Sequence, residues 1–586
     1  MRPFRHISGL NAVGETNMQE NFKFKDLPYV RPDFDKIKVE LGEITEKMKN
    51  AASYAEAKAA YREYEAVTSD IRDAYTLVMI RHTVDTRDKF YDDENEFLSQ
   101  AFPELSPYTV AFSSALYDGA FKADFEKEFG AQLMKMIELE RRSFCEKNIP
   151  LQQQEAKLCN EYENIIASAS IEFDGGKRNL YGVMKYFEDE DREVRKAAWK
   201  AYESFFASHE KRFEEIWDEL VKIRNEQGRN LGFENFIPLG YMQQGRTDYD
   251  DKDVAAFRAQ VKDEIVPLCE KLYKAQAERL GYDKVRVYDE NCVFKGGNAV
   301  PVGNDDELVE IARDMYRDMS KETGEFIDFM IDHDLLDLKN KQGKASTGYM
   351  TEILKYKAPF VFSCFNGTIG DIQVLTHELG HAFAGYEAMR NQPVVAYYSE
   401  STDIAEIHSM SMEQFAYPYA EKFFGDKADK FRFQHLQEAI TFVPFGVAVD
   451  EYQHIVYSRP ELTPAERTAE WKKLEEKYMP CRDYDGMEFF GKGGWWYHKI
   501  HIFLYPFYYI NYTLTTMGAM EFKKKMHLDK AAAWNDYMNL CKVGGSRSYL
   551  ETLSYANLTS PFKAGAVRDA ISFAKEILLS EIEKLR

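Results

Sequence analysis

The residues whose types and spacing could do chemistry are His377, Glu378, Leu379, Gly380 and His381, an H-E-x-x-H motif. On a helix, residues four apart lie about 40° apart around the axis and one turn apart along it. Both imidazoles can therefore point at one ion. Neutral imidazole suits a borderline-soft ion such as zinc. Glu378, beside the first histidine, can reach a water on that metal and take a proton that the metal has made more acidic. With 12 histidines in 586 residues, chance supplies this motif about 0.02 times. The plain alternative is a helix with two unrelated histidines and an ordinary glutamate. Val374, Leu375, Leu379, Ala382 and Phe383 supply a buried side for a helix at this place.

A catalytic zinc needs a third protein ligand and an open fourth position. A continuation H-x-x-G-x-x-H is absent, because Ala382, Phe383 and Ala384 follow His381. The third ligand must come from elsewhere. The acidic stretch SESTDIAEIHSMSMEQF, 399–415, offers Glu400, Asp403, Glu406, His408 and Glu413. Glu406 is the choice, because Ile404, Ala405 and Ile407 surround it and an unpaired carboxylate is rarely set among apolar residues. Asp403 and Glu413 are either outer partners of the histidine ligands or members of a solvated helix face.

A second cluster of chemistry-bearing residues lies at 495–512, with Trp495, Trp496, Tyr497, His498, His501, Tyr505, Tyr508, Tyr509 and Tyr512. His501, Tyr505, Tyr508 and Tyr512 follow at spacings of 4, 3 and 4, one helical face. Burying a row of hydroxyls and an imidazole without partners is costly. Such a row suits donors aimed at the oxyanion that forms when an amide is attacked. The alternative is an aromatic core helix with its hydroxyls satisfied locally. Pro506 would kink the helix, which leaves open whether Tyr505, Tyr508 or Tyr509 faces the metal.

Positioning these groups falls to a mostly helical chain. From about Asp33 to Ile171, and again from Asp189 to Gly228, apolar residues recur at three and four spacing. Strand signals are few. KVRVYDENCVF, 284–294, is a short candidate. Ala345–Phe365 is the clearest, ending in APFVFSCFN directly before the motif helix. That last strand either binds an extended peptide as an added strand or is covered on both faces. GKGG at 491–494 reads as a turn or hinge.

Composition bounds the rest. Charged residues make up 30% and aromatics 14%, which excludes disorder over most of the chain. With 98 acidic against 76 basic residues, a net charge of −22, nucleic acid and anionic membranes are poor partners. No apolar run approaches the ~18–20 residues of a membrane span, and the N-terminus lacks the apolar core of a secretory signal. Seven scattered cysteines form neither a disulfide framework nor a cysteine zinc site. The expected compartment is the cytoplasm. No G-x-S-x-G elbow and no phosphate loop is present.

FNGTIGDIQVLTHELGHAF (365–383), TDIAEIHSMSMEQF (402–415), HIFLYPFYYINY (501–512) and VGGSRSYLETLSYANLTSPF (543–562) resemble the oligoendopeptidase F and thimet oligopeptidase family of zinc metallopeptidases. FKFKDLPYVRPDF (22–34) resembles that family's N-terminus, which suggests Met18 as the natural start and residues 1–17 as a leader or added extension. The resemblance implies a mainly α, zincin-like helical ellipsoid with a deep channel, zinc on its floor and one small sheet beside the metal-binding helix. It implies an N-terminal helical region over 18–200 and a catalytic region over 201–586. It implies one zinc held by His377, His381 and Glu406, with Glu378 as general base. His501 and Tyr512 would stabilise the oxyanion, and Tyr505, Tyr508 and Tyr509 would bind substrate. Short oligopeptides are the implied substrates, cut at internal bonds, with no obligate protein partner. An exopeptidase on the same site and a peptide-binding protein with a structural zinc remain as alternatives.

Overall fold

The computed structural model describes residues 22–345 and 347–584, so the leader expected over 1–17 lies outside them. Helices carry most of the chain from Phe34 to Lys584. The Arg192–Asn230 helix runs for 39 residues and starts where the Asp191 carboxylate accepts the Glu193 N–H at 2.9 Å. Trp199, Phe206, Phe213 and Leu220 recur every two turns along it and are all buried. They join one large apolar core that also contains the helices around the motif.

The N-terminal helices build two smaller cores, one from their own residues alone and one that also takes in Val394 and Tyr397. This lobe is tied to the main body by buried polar contacts. The Asp73 carboxylate, on the Tyr54–Val84 helix, accepts the backbone N–H groups of Leu354 at 2.6 Å and Lys355 at 2.8 Å. Tyr397 accepts the Leu133 N–H at 2.8 Å and donates to the Phe129 carbonyl at 2.9 Å.

Strands β1 (Ile171–Phe173) and β2 (Gly176–Arg178) form a hairpin that the apolar pattern does not reveal. Its signal was the Asp174-Gly175 pair, whose φ values of 51° and 72° supply the two left-handed residues of a tight turn. Strands β3 (Leu336–Lys339), β4 (Tyr349–Ile353) and β5 (Ala358–Phe365) form a second sheet in the order β3-β5-β4. The central strand β5 pairs parallel with β3 and antiparallel with β4. APFVFSCFN is therefore paired on both sides and has no edge for an added strand; the edges are β3 and β4. The expected strand at 284–294 is a 3-10 turn at Val287–Asp289 instead. Asp289 there binds Arg192 and Arg195 and accepts the Arg286 N–H, which curls the segment locally.

The motif helix, Ile369–Asn391, follows β5 directly. The buried Asp371 carboxylate joins the two elements by accepting the N–H groups of Asn366 at 2.9 Å and Gly367 at 2.7 Å. The glutamate helix, Thr402–Ala416, crosses the motif helix at Gly380. A Cβ at Gly380 would stand 2.7 Å from Ser409 Cα and 2.9 Å from Met412 Cβ. Gly446, on the Ala428–Ser458 helix, similarly admits Thr513 of the Ile510–Leu528 helix, whose Cγ2 would lie 2.2 Å from an added Cβ. Within the GKGG turn, Gly493 is packed against the Thr468 carbonyl, 2.5 Å from where its Cβ would be.

Gly380→Val should force the two helices apart. The expected cost is about 1–3 kcal/mol of overpacking, read as a lowered unfolding midpoint in denaturant. The displacement should also separate Glu406 from the motif histidines, so metal titration of the folded variant should show weakened binding. An unchanged midpoint would mean that the crossing tolerates a wider spacing.

Candidate metal centre

One turn of the motif helix separates His377 from His381, and their rings lie 4.9 Å apart. The crossing at Gly380 brings Glu406 against both. Its Oε2 lies 3.1 Å from His377 Nε2 and 3.4 Å from His381 Nε2. The ligand atoms of His377, His381 and Glu406 all fall within 4.8 Å of one another, close enough to share one ion. Side-chain exposure is 25% for His377 and 14% for His381, so the histidines are reachable from outside. Glu406 is buried, and burial alone would raise its pKa. His381 and His377 outweigh that and hold the carboxyl well below the usual range. Ser409 Oγ also donates to Glu406 Oε2, at 3.1 Å.

The outer contacts orient the first histidine. Glu413 Oε1 lies 2.6 Å from His377 Nδ1, leaving Nε2 for the shared point. The other Glu413 oxygen lies 2.6 Å from His435 Nε2, and His435 Nδ1 lies 2.5 Å from the Tyr417 hydroxyl. Burial pushes Glu413 up, but His377 and His435 prevail and hold it at about 2. Glu413 is thus an outer partner, one of the two readings its sequence position allowed. Asp403 is neither a partner of a ligand histidine nor solvated: it is buried and accepts from Tyr249 at 2.8 Å and Ser401 at 2.5 Å. Glu400 pairs instead with His408, 3.1 Å from its Nδ1.

Glu378 leaves the motif helix next to the loop before β4. A Cβ on Gly348 would stand 3.7 Å from Glu378 Oε1, so a bare backbone faces this carboxylate. Burial raises the Glu378 pKa, opposed by the two histidines.

The tyrosine segment is not one helix. A short Ile500–Leu504 helix ends at Tyr505, Phe507 takes φ 61°, and the next helix begins at Ile510. Pro506 lies in the break. The 4-3-4 face therefore does not exist as such, yet the break folds the residues around His501. Its ring lies 6.0 Å from Tyr505, 5.8 Å from Tyr508, 4.8 Å from Tyr509 and 6.1 Å from Tyr512. Tyr508 faces the His377–His381–Glu406 cluster: its hydroxyl donates to Glu406 Oε1 at 3.4 Å, and burial with Glu406 pushes its pKa up to about 12. Tyr512 packs 5.5 Å from the Tyr508 ring, and burial raises its pKa strongly. Tyr505 is 51% exposed and stands at the rim. Tyr509 is buried and takes a hydrogen bond from Lys499. Burial and, after it, Lys499 push His501 down to about 3, so its ring is neutral near pH 7 and keeps one N–H to donate.

Sequence spacing missed His435, Tyr417 and Lys499. His435 sits on a helix remote in sequence from the motif, and Tyr417, directly after the glutamate helix, joins the site only through its contact with His435. Lys499 did stand in the cluster at 495–512, but a lysine there has the appearance of a surface residue.

A two-histidine helix crossed by a carboxylate helix, within a mainly helical body, is the donor set of a metallopeptidase. The chain belongs to peptidase family M3: the peptidase family M3 model matches residues 185–295 and 323–570, and the peptidase M3 N-terminal domain matches 24–144. It is therefore a peptidase. The structure of PZ peptidase A with an inhibitor superposes with a TM-score of 0.90 at 42% identity, covering 95% of this chain and 99% of that one. Oligopeptidase PepF of Bacillus subtilis (strain 168) is 19% identical over 575 residues, 92% of this chain and 82% of its own. Oligoendopeptidase F of Lactococcus lactis subsp. cremoris is 22% identical over 567 residues, 89% of this chain and 88% of its own. Among the described residues no helix is long and apolar enough to cross a membrane.

Replacing Glu413 by Gln should weaken divalent-metal affinity by about 10–100-fold, with a smaller loss for His435→Phe. Competition against a chromophoric chelator reads both. Wild-type affinity in the Glu413 variant would show that His377 needs no outer partner.

Proposed function

We propose that this peptidase is a zinc endopeptidase that cuts internal bonds of short oligopeptides. The carrying observation is the convergence of His377, His381 and Glu406 beside Glu378. The residues fit the ion: two imidazole nitrogens and one carboxylate make a three-ligand set, and a catalytic zinc keeps its fourth position open. Zinc held there supplies a Lewis acid that makes water more acidic and polarises a carbonyl.

This chain's own groups account for the remaining work. Glu378 takes a proton from the attacking water and delivers it to the leaving amine. Neutral His501 and the Tyr508 and Tyr512 hydroxyls donate towards the carbonyl oxygen as it gains charge. The exposed Tyr505 would meet flanking substrate residues at the surface, and Tyr509, buried beside His501, would meet them through its hydroxyl. β4, as the edge strand beside Glu378, offers backbone groups to an extended peptide.

A structural zinc requires a fourth protein ligand. His408 is held by Glu400 and the Leu540 carbonyl, and Glu413 by His377 and His435. Neither is free to close the site, which disfavours a purely binding role.

The test is an internally quenched peptide of about ten residues, blocked at both ends, a length that oligopeptide binding to a single cleft accommodates. Cleavage should vanish with a chelator and return with zinc. Glu378→Gln should keep zinc and lose about 10²–10⁴-fold in kcat. Glu406→Ala should lose zinc affinity. Full activity in the Glu378 variant would remove its role as base, and chelator-resistant cleavage would remove the metal from the chemistry.

A further inference from the structure

Lys499 stands two residues before His501 and is half-buried. Its Nζ donates to the Tyr509 hydroxyl at 2.9 Å, lies 4.2 Å from the centre of that ring and 5.6 Å from the Phe445 ring. An ammonium has three N–H donors. Among the described residues no carboxylate lies within ion-pairing distance of this one. That is notable in a chain with 98 acidic residues against 76 basic, because an enclosed charge ordinarily has a partner. Burial pushes the Lys499 pKa down to about 7.

Lys523 shows what a purely structural buried lysine looks like here. Burial also pushes it down to about 7, but the Gln414 side-chain carbonyl accepts from it at 3.0 Å and the Tyr417 ring lies 3.6 Å away. For Lys499 the acceptor is a phenol oxygen. That phenol keeps its own hydrogen, so the ammonium and the Tyr509 hydroxyl offer adjacent donors. A cation beside a hydroxyl is matched by a carboxylate, whose two oxygens accept from both.

We propose that Lys499 and Tyr509 clamp a carboxylate of the bound peptide within two to three residues of the bond that is cut. The inference rests on the peptidase site proposed above. Its placement follows from His501: Tyr509 lies 4.8 Å from that ring and Lys499 4.2 Å from Tyr509, so the clamp is no further from His501 than those two contacts laid end to end. An extended peptide covers such a span in about two to three residues at ~3.4 Å each. The carboxylate is either the C-terminus of a short peptide or an Asp or Glu side chain. The first would let the site measure its distance from the end of the substrate.

The test uses the zinc-loaded full chain and sets of matched peptides, with products quantified by mass spectrometry. One set ends two or three residues past the scissile bond as the free acid or the amide. A second set is amidated throughout and carries Glu or Gln at the corresponding positions on either side of the bond. A charged hydrogen bond is worth about 1.5–3 kcal/mol, so at least one acid form should exceed its neutral twin by about tenfold or more in kcat/KM. A preference in the first set identifies the terminal carboxylate as the source; a preference in the second identifies the side chain. In Lys499→Met the acid-to-neutral ratio should fall toward one, and Lys499→Arg should keep part of it. Equal kcat/KM for every wild-type pair, or an undiminished ratio in Lys499→Met, would overturn the clamp and leave the peptidase reading intact. Cleavage of no peptide would remove the oligopeptide endopeptidase reading and the clamp with it.

Discussion

Three groups that share one ion must sit closer together than helices ordinarily allow. Packed helix axes stand about 8–10 Å apart, and a glutamate reaching between two histidines on another helix needs the near end of that range. Gly380 meets this need from inside the motif itself, at the point where the glutamate helix passes over it. The motif therefore has two jobs. Its outward residues are the proposed ligands and base, and its inward glycine sets the distance to Glu406. The Ile510–Leu528 helix packs on the glutamate helix too, and just before it Tyr508 reaches the Glu406 carboxylate that the histidines also touch.

Close packing brings an electrostatic cost. Glu406 and Glu413 are nearly removed from water, and an isolated buried carboxylate would take up a proton. Each is instead set between two imidazoles: Glu406 between His377 and His381, Glu413 between His377 and His435. His377 is shared by both carboxylates, so its ring is fixed from both nitrogens. The chain extends through His435 to the Tyr417 hydroxyl. The orientation of one ligand thus depends on the packing of a helix that carries no ligand at all.

The legible part of this protein was the part written at helical spacing. The motif, its buried side, the burial of Glu406 and most helices are local patterns of a few turns, and each has the physical form the spacing implies. The hairpin at Asp174-Gly175 was legible in principle, through its turn residues rather than through apolar alternation. The segment at 284–294 misled because its β-branched residues suggested a strand, while a buried Asp289 with two arginines decided the local structure. The face at 501–512 misled differently. The residues do gather, but a proline and a left-handed Phe507 gather them by breaking the helix. His435 and Lys499 were invisible because their meaning lies wholly in what is near them in space.

The Asp73 contact has a consequence for how the chain is made. Asp73 and Leu354 are 281 residues apart, and Asp73 belongs to a helix of the first lobe. At ~5–20 residues per second a ribosome takes roughly a quarter of a minute to a minute to supply the partner strand. Throughout that time the lobe can close only the smaller core built wholly from its own helices, since the other waits for Val394 and Tyr397, and the surface meant for β4 stays bare. The nascent chain thus carries an unfinished face for far longer than a helix needs to form. The yield of correctly assembled protein should then be governed by what shields that face during synthesis, and much less by the stability of the finished molecule.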